Sequence, residues 1–175
     1  MNLIVYVEGV SEEFFVNRQL RPHLQHHGWS GVKPIGVATS LDPNGKTGGL
    51  TNWPAVEQDL RDLFTQYQGP THRFTTLWDF YGTPDSFPGF ALARAAAPGT
   101  DRAALAEAAL SAHFHEPRFL PYVQMYEFEA LVLAAIDGLS RGAHWPAVLA
   151  TAANSVSNKA STKPRKHLLS DMPAL

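Results

Sequence analysis

Acidic residues stand next to three apolar segments of the sequence, where they could bind a divalent cation. Glu8 follows the first segment, Asp79 ends another and Glu127 closes a third, while Glu12 and Glu129 lie close behind. Carboxylates within a few ångströms of one another repel, unless some are protonated or a hard cation is shared between them. We therefore expect Mg²⁺ or Mn²⁺, and such ions usually act on phosphate esters, where they activate water and stabilise the leaving oxygen.

The same acids also have a simpler explanation, in which none of them binds a metal. Glu12 and Glu13 are favoured in the first turn of a helix by the helix dipole alone. An acid at the end of a strand can also serve only to cap the helix that follows. The spacing leaves both interpretations open.

The segments around these acids predict strands and helices in alternation. Residues 3–7 form a continuous β-branched and aromatic run, which is typical of a strand buried on both faces. Residues 32–38 predict a second strand, which Pro34 pushes to the edge of the sheet because it cannot donate a ladder hydrogen bond. Further strands are expected at residues 73–80, ending at Asp79, and at residues 119–126.

Helices are expected between these strands. The first follows Glu8 with an apolar stripe of Phe14, Phe15, Leu20 and Leu24, and the second begins at Pro54. Two more are predicted at residues 90–96 and 101–114, and another begins at Glu127. The apolar stripe of the second helix comprises Val56, Leu60, Leu63, Phe64 and Tyr67.

This alternation predicts parallel crossover units, whose right-handed connections place helices on both faces of one sheet. We expect an α/β fold, Rossmann-like, with a mostly parallel sheet of about four strands. Because the crevice of such a sheet lies beyond the carboxyl ends of its strands, the acids would share one rim. Residues 1–154 should form this domain, and residues 155–175 a basic loop or tail.

Composition excludes several classes of protein. A chain of 175 residues with 45% hydrophobic and 17% charged residues has enough apolar material for one core, so wholesale disorder is not expected. No run approaches the roughly 18 apolar residues that a membrane span needs. The absence of cysteine excludes thiolate zinc sites, iron–sulfur clusters and cysteine nucleophiles. A net charge of −2 argues against coating nucleic acid by a bulk positive field. The N-terminus lacks the pattern of a signal peptide, so we expect a cytoplasmic location.

Five short segments carry a resemblance to a known family. In order, they are VEGVSEEFFV (7–16), Gly48-Gly49, DFYGTPDSFPG (79–89), PRFLPYVQ (117–124) and EFEAL (127–131). Together they resemble the bacterial, Toprim-like family called domain of unknown function 4276. Toprim domains bind Mg²⁺ through a Glu after the first strand and an Asp-x-Asp after a later strand, and they act on phosphodiesters.

The resemblance implies roles for the acids. Glu8 would be a general acid/base or a metal ligand, assisted by Glu12, and Asp79 would be the first metal-binding aspartate. The sequence departs from Toprim at Tyr81, where a second Asp is expected, and a protonated phenol is a poor Mg²⁺ ligand. Either Glu127 or Glu129 replaces the missing carboxylate, or the site has lost cleavage and kept binding.

Other features concern the partners. A basic stretch with Lys163, Arg165 and Lys166 is similar to a short family segment that would hold a phosphate backbone. Tyr81 and Phe87 could stack on a base, although core packing is the simpler explanation for both. Family genes often lie beside ATPase genes of phage-defence or mobile-element modules, which implies a partner ATPase, and a homodimer stays open. Family members tend to continue further, so Leu175 is expected to mark a truncation or a shortened variant.

Three hypotheses follow from the sequence. The first is a Mg²⁺-dependent phosphodiesterase, a nuclease subunit in which Glu8, Asp79 and Glu127 or Glu129 hold metal and water is the nucleophile. The second is a catalytically silent module that binds nucleic acid or an ATPase, which Tyr81 favours. The third is a small-molecule phosphohydrolase, which suits the near-neutral charge.

Overall fold

A four-stranded parallel sheet forms the centre of the computed structural model, which describes residues 1–37 and 50–126. Apart from residues 125 and 126, the described residues belong to one compact unit, Met1–Gln124. The strands are β1 (Asn2–Val7), β2 (Gly31–Gly36), β3 (His72–Asp79) and β4 (Val123–Gln124), and their order in the sheet is β2-β1-β3-β4. The prediction of a Rossmann-like α/β fold with about four parallel strands is confirmed.

Helices connect the strands in the order that the sequence predicts. The helix α1 (Val10–Phe15), a π-helical turn (Val16–Leu20) and α2 (Arg21–His26) lie between β1 and β2. Between β2 and β3 the described part of the chain contains α3 (Trp53–Gln66), and between β3 and β4 it contains α4 (Phe90–Ala95) and α5 (Arg102–Phe114). None of these helices is long and apolar enough to cross a membrane.

The chain reverses its direction across the sheet at β1. Strand β2 lies on one side of β1, and β3 lies on the other side. Right-handed crossovers therefore place α1–α2 on one face of the sheet and α3 on the opposite face. On the α3 face, the Tyr6 hydroxyl donates a hydrogen bond to Asp59 at 2.8 Å. The carboxyl ends of β1 and β3 therefore form a topological switch point, where open α/β sheets bind their ligands.

Strand β1 lies inside the sheet, with β2 and β3 paired to its two edges. All of residues 3–7 are buried, as the continuous apolar run predicts. Pro34 lies in β2, which is an edge strand, so the position predicted from its missing N–H is also confirmed. Val7 stands opposite Leu77, and the two central strands therefore end at nearly the same level.

The first helix differs from the prediction because it contains a π turn. The N–H of Arg21 donates to the carbonyl of Val16, five residues back, and Pro22 has no N–H with which to continue an α-helical ladder. The extra residue in the turn rotates the apolar face, so Val16 joins Leu20 and Leu24 in the core. Phe14, expected in that stripe, is instead 63% exposed.

Strand β4 is much shorter than the predicted strand at residues 119–126. Phe119 forms only an isolated bridge with Phe74, and Pro121 lacks an N–H for the ladder. The Thr76 hydroxyl takes the place of ladder groups, donating to the Tyr122 carbonyl at 2.7 Å and accepting from the Tyr122 N–H at 2.9 Å. The strand ends at Gln124, so the expectation that an acid closes it is wrong.

Candidate functional site

The structure brings Glu8 and Asp79 together at the switch point between β1 and β3. Glu8 follows the last residue of β1, and Asp79 is the last residue of β3. A Cβ atom built on Gly82 would lie 3.1 Å from Asp79 Oδ2 and 3.6 Å from Glu8 Oε1. Oxygens of both carboxylates therefore border the same small space.

The turn after β3 fixes the orientation of Asp79. Its carbonyl accepts hydrogen bonds from the N–H of Thr83 at 3.1 Å and from the Thr83 hydroxyl at 2.7 Å. Its carboxylate oxygen Oδ2 accepts a bond of 2.6 Å from the N–H of Gly82. Aspartate readily forms this kind of side-chain turn, and a residue without a Cβ fits beside the carboxylate. The sequence Asp79–Thr83 thus builds a turn that holds its own acid in place.

The surroundings of Glu8 disfavour the charged form of its carboxyl. Burial raises the pKa of the Glu8 carboxyl above its ordinary value of 4.5, and the negative charges of Glu12 and Asp79 raise it further. A hydrogen bond from the backbone N–H of Asp79 acts in the opposite direction and lowers that pKa. The net result is a carboxyl whose charged form would gain from a nearby cation.

Glu12 belongs to the same acidic rim, although its contribution comes through charge. It lies in the first turn of α1, partly exposed, and its Oε2 would be 3.2 Å from a Cβ built on Gly9. Within residues 1–37 and 50–126, no three acidic or histidine side chains are close enough together to hold a metal ion. Glu8, Glu12 and Asp79 therefore do not form a three-ligand cage by themselves.

Glu127 and Glu129 lie outside the described residues, and so do Lys163, Arg165 and Lys166.

Tyr81 and Phe87 occupy very different environments, although both follow Asp79. Phe87 is only 2% exposed and packs edge-on against Trp78, so core packing is confirmed for it. Tyr81 is 58% exposed, and its ring meets the buried Phe80 ring edge-on at 5.3 Å. The expectation that Tyr81 is a packing residue is therefore wrong, and its ring is presented to solvent two residues from Asp79.

Sequence reasoning missed the residues that hold this turn. Gly82 and Thr83 contact Asp79 directly, and the guanidinium of Arg94 contacts the carbonyls of Phe80 and Thr83. The Asp-x-x-Gly-Thr spacing could have indicated a side-chain turn after the strand. Nothing in the sequence marks Arg94, because its partners are main-chain carbonyls.

The donor atoms at this rim fit a hard divalent cation. Both side chains at its centre, Glu8 and Asp79, are carboxylates, which Mg²⁺ and Mn²⁺ prefer as ligands, and Mg²⁺ commonly takes only one or two carboxylates together with water and phosphate oxygens. The space that both oxygens border is one that a Cβ on Gly82 would fill, and the negative charges of Glu12 and Asp79 add to burial in raising the pKa of Glu8 beside it.

The chain belongs to the family described as domain of unknown function 4276, whose model matches residues 7–174. Comparison with curated proteins and with solved structures gave no match.

Proposed function

We propose that this protein is a Mg²⁺- or Mn²⁺-dependent phosphodiesterase of the Toprim-like type, a nuclease subunit of a bacterial defence or mobile-element module. It would act on nucleic acid in the cytoplasm, together with a partner ATPase. The observation that carries the proposal is the convergence of Glu8 and Asp79 beyond the carboxyl ends of two adjacent parallel strands. The Glu after the first strand and the Asp after a later one also match the resemblance to Toprim domains.

The acidic residues of this rim would have different roles in the reaction. A bound divalent cation supplies positive charge to a phosphate oxygen and lowers the pKa of a water molecule. Asp79, oriented by the N–H of Gly82, would present its carboxylate to that cation. Glu8 would either share the cation or exchange a proton with the water nucleophile. The negative charge of Glu12 would strengthen the electrostatic attraction of the site for the cation.

The test is cleavage of supercoiled plasmid and of single-stranded DNA and RNA in Mg²⁺, in Mn²⁺ and in chelator. Cleavage should require the metal and should disappear in Glu8→Gln and in Asp79→Asn. Glu13→Gln is the matched control, because Glu13 is an exposed acid in the same helical turn as Glu12. Cleavage that persists in chelator, or in both site variants, would contradict the proposal.

A second candidate is a catalytically silent module that uses the same crevice to bind nucleic acid or the ATPase. It is favoured by Tyr81, which stands where Toprim domains carry their second Asp and is exposed to solvent. Binding of DNA or of the ATPase without any cleavage, in the presence of metal, would support this candidate instead.

A further inference from the structure

Arg94, in α4, contacts the turn that follows β3 at several points. Its Nη2 donates to the Phe80 carbonyl at 2.8 Å and also to the Thr83 carbonyl, while Nη1 pairs with the Asp85 carboxylate. The guanidinium lies over the rings of Phe80 and Phe90, at 5.4 and 5.8 Å from their centroids. These contacts join a helix to the turn that carries Asp79.

The two carbonyls that Arg94 binds stand on either side of Gly82. The N–H of Gly82 donates to Asp79 Oδ2 at 2.6 Å, so its direction decides where that carboxylate oxygen lies. A group that fixes the carbonyls of Phe80 and Thr83 restricts the peptide planes between them. Arg94 can therefore set the position of Asp79 without touching it.

The helix that carries Arg94 is itself firmly placed. It begins after Gly89, which has a φ of 83° and packs so closely on α5 that a Cβ there would be 2.3 Å from the Cβ of Ala109. Phe90 and Ala93 of the same helix are completely buried. The guanidinium thus extends from a rigid element, which is the arrangement that holds a site residue accurately.

We propose that Arg94 is a positioning residue for Asp79, acting through the Gly82 amide to hold the carboxylate in the orientation that binds the divalent cation. The consequence for cleavage rests on the proposed function, whereas the consequence for the Gly82 amide does not. The planar guanidinium suits this role because it can donate to two carbonyls at once while it also contacts aromatic rings.

The test uses the whole chain with the substitutions Arg94→Gln and Arg94→Lys, and two readouts. The first is the Gly82 amide proton shift in ¹⁵N-labelled protein, measured without metal at one fixed pH. The second is Mn²⁺ affinity, measured by the paramagnetic signal of free Mn²⁺. In Arg94→Gln the Gly82 proton should shift upfield because its hydrogen bond to Asp79 lengthens, and Mn²⁺ should bind about tenfold more weakly. Arg94→Lys keeps the stem and the charge, and should fall between Arg94→Gln and the unchanged protein.

Two controls separate positioning from other effects. Asp85→Asn removes the carboxylate partner of Arg94 but leaves both carbonyl bonds, and should change Mn²⁺ affinity less than about twofold because Asp85 is 68% exposed. Leu24→Ala opens the core beside β2 and destabilises the protein without contact to the turn, so it should leave the Gly82 shift unchanged.

Each outcome decides the proposal. A Gly82 amide proton that keeps its normal shift in Arg94→Gln would overturn it, as would an Asp85→Asn variant that reproduces the whole effect. If the unchanged protein binds Mn²⁺ but cleaves nothing, the proposed function fails and the Mn²⁺ affinities still test Arg94. If the unchanged protein binds no Mn²⁺, the Gly82 shifts decide alone.

Discussion

The backbone N–H of Asp79 donates a hydrogen bond to the Glu8 carboxylate, so the two acids of the site are linked through the main chain as well as through charge. This link follows from the register of the sheet, in which Val7 stands opposite Leu77 on the neighbouring parallel strand. The last residues of β3 therefore lie beside the residue that follows β1. A substitution at the end of either strand should therefore affect the acid at the end of the other strand.

Glu8→Gln should increase the stability of the metal-free protein at neutral pH. Because the pKa of Glu8 is raised in the folded state, its neutral form favours folding below the ordinary value of 4.5, and that contribution is lost as the pH rises through the raised pKa. The amide avoids this loss. Solvent screens a partly exposed group, so we expect a gain of under about 1 kcal/mol at pH 7.

Denaturant unfolding in chelator, from pH 4 to pH 8, measures this difference. The gap between Glu8→Gln and the unchanged protein should narrow as the pH falls. A Glu8→Gln variant that is less stable than the unchanged protein at pH 7 would show that neighbouring groups already stabilise the charged carboxylate of Glu8.

Addition of Mn²⁺ should raise the melting temperature. A ligand that binds only the folded state adds about 2.7 kcal/mol when its concentration is one hundred times its dissociation constant. The increase should vanish in Asp79→Asn and return to zero when a chelator is added. Glu13→Gln should respond like the unchanged protein, and equal shifts in Asp79→Asn and Glu13→Gln would place the bound metal elsewhere.

Gly82→Ala should disable the site while the fold survives. The new Cβ would lie 3.1 Å from Asp79 Oδ2, which is tighter than ordinary packing, and 3.6 Å from Glu8 Oε1. The backbone itself tolerates alanine, because the φ of Gly82 is not positive. We expect a stability change below about 1 kcal/mol and a loss of Mn²⁺ affinity of about tenfold or more.

The matched control for this substitution is Gly36→Ala, at a strand position where an added Cβ has no neighbour within 4 Å. It should leave Mn²⁺ affinity unchanged. If Gly82→Ala binds Mn²⁺ as well as Gly36→Ala does, the space beside Gly82 is not where the cation lies.

The central part of this geometry could be predicted from sequence because it depends on strand pairing. The continuous apolar run at residues 3–7 predicts a strand of a parallel sheet that is buried on both faces, and this strand ends directly before Glu8. Residues 73–79 carry a similar signal, and parallel pairing then brings Asp79 to the same edge. The juxtaposition of two acids therefore follows from two short patterns.

The parts that could not be predicted depend on single side chains that bond to the main chain. Thr76 substitutes its hydroxyl for strand partners of Tyr122, so a run that has strand composition forms only Val123–Gln124. Arg94 bonds carbonyls in a turn, and carbonyls have no signature in a sequence. Such contacts join residues that are separated by many positions in the sequence, and local sequence patterns do not encode them.

Glu116→Gln should destabilise the protein at neutral pH. Arg118 donates to the Glu116 carboxylate, which lowers the pKa of that carboxyl, and it also donates to the carbonyls of Phe64 and Tyr67 at the end of α3. A lowered pKa stabilises the fold above the ordinary value of 4.5, and the contribution is lost as the pH falls through the lowered pKa. We expect a cost of about 1 kcal/mol at pH 7, allowing for screening at the surface.

Unfolding free energies at several pH values measure this effect. The difference between Glu116→Gln and the unchanged protein should disappear in acid, where both side chains are neutral. A constant difference at all pH values would assign the cost to packing and not to the ion pair.

Tyr81→Ala should weaken the binding of single-stranded substrate and leave the fold unaffected. The ring is 58% exposed, so its removal should change stability by less than about 0.5 kcal/mol. If a base stacks on the ring beside Asp79, its loss removes about 1–3 kcal/mol of binding free energy. KM should therefore rise about tenfold or more, while kcat changes little because the carboxylates remain in place.

Tyr81→Phe keeps the aromatic face and should behave like the unchanged protein. A normal KM in Tyr81→Ala would show that no base stacks on this ring, so stacking would not explain an aromatic residue where Toprim domains carry an acid. A fall in kcat in both variants would instead assign a role to the Tyr81 hydroxyl.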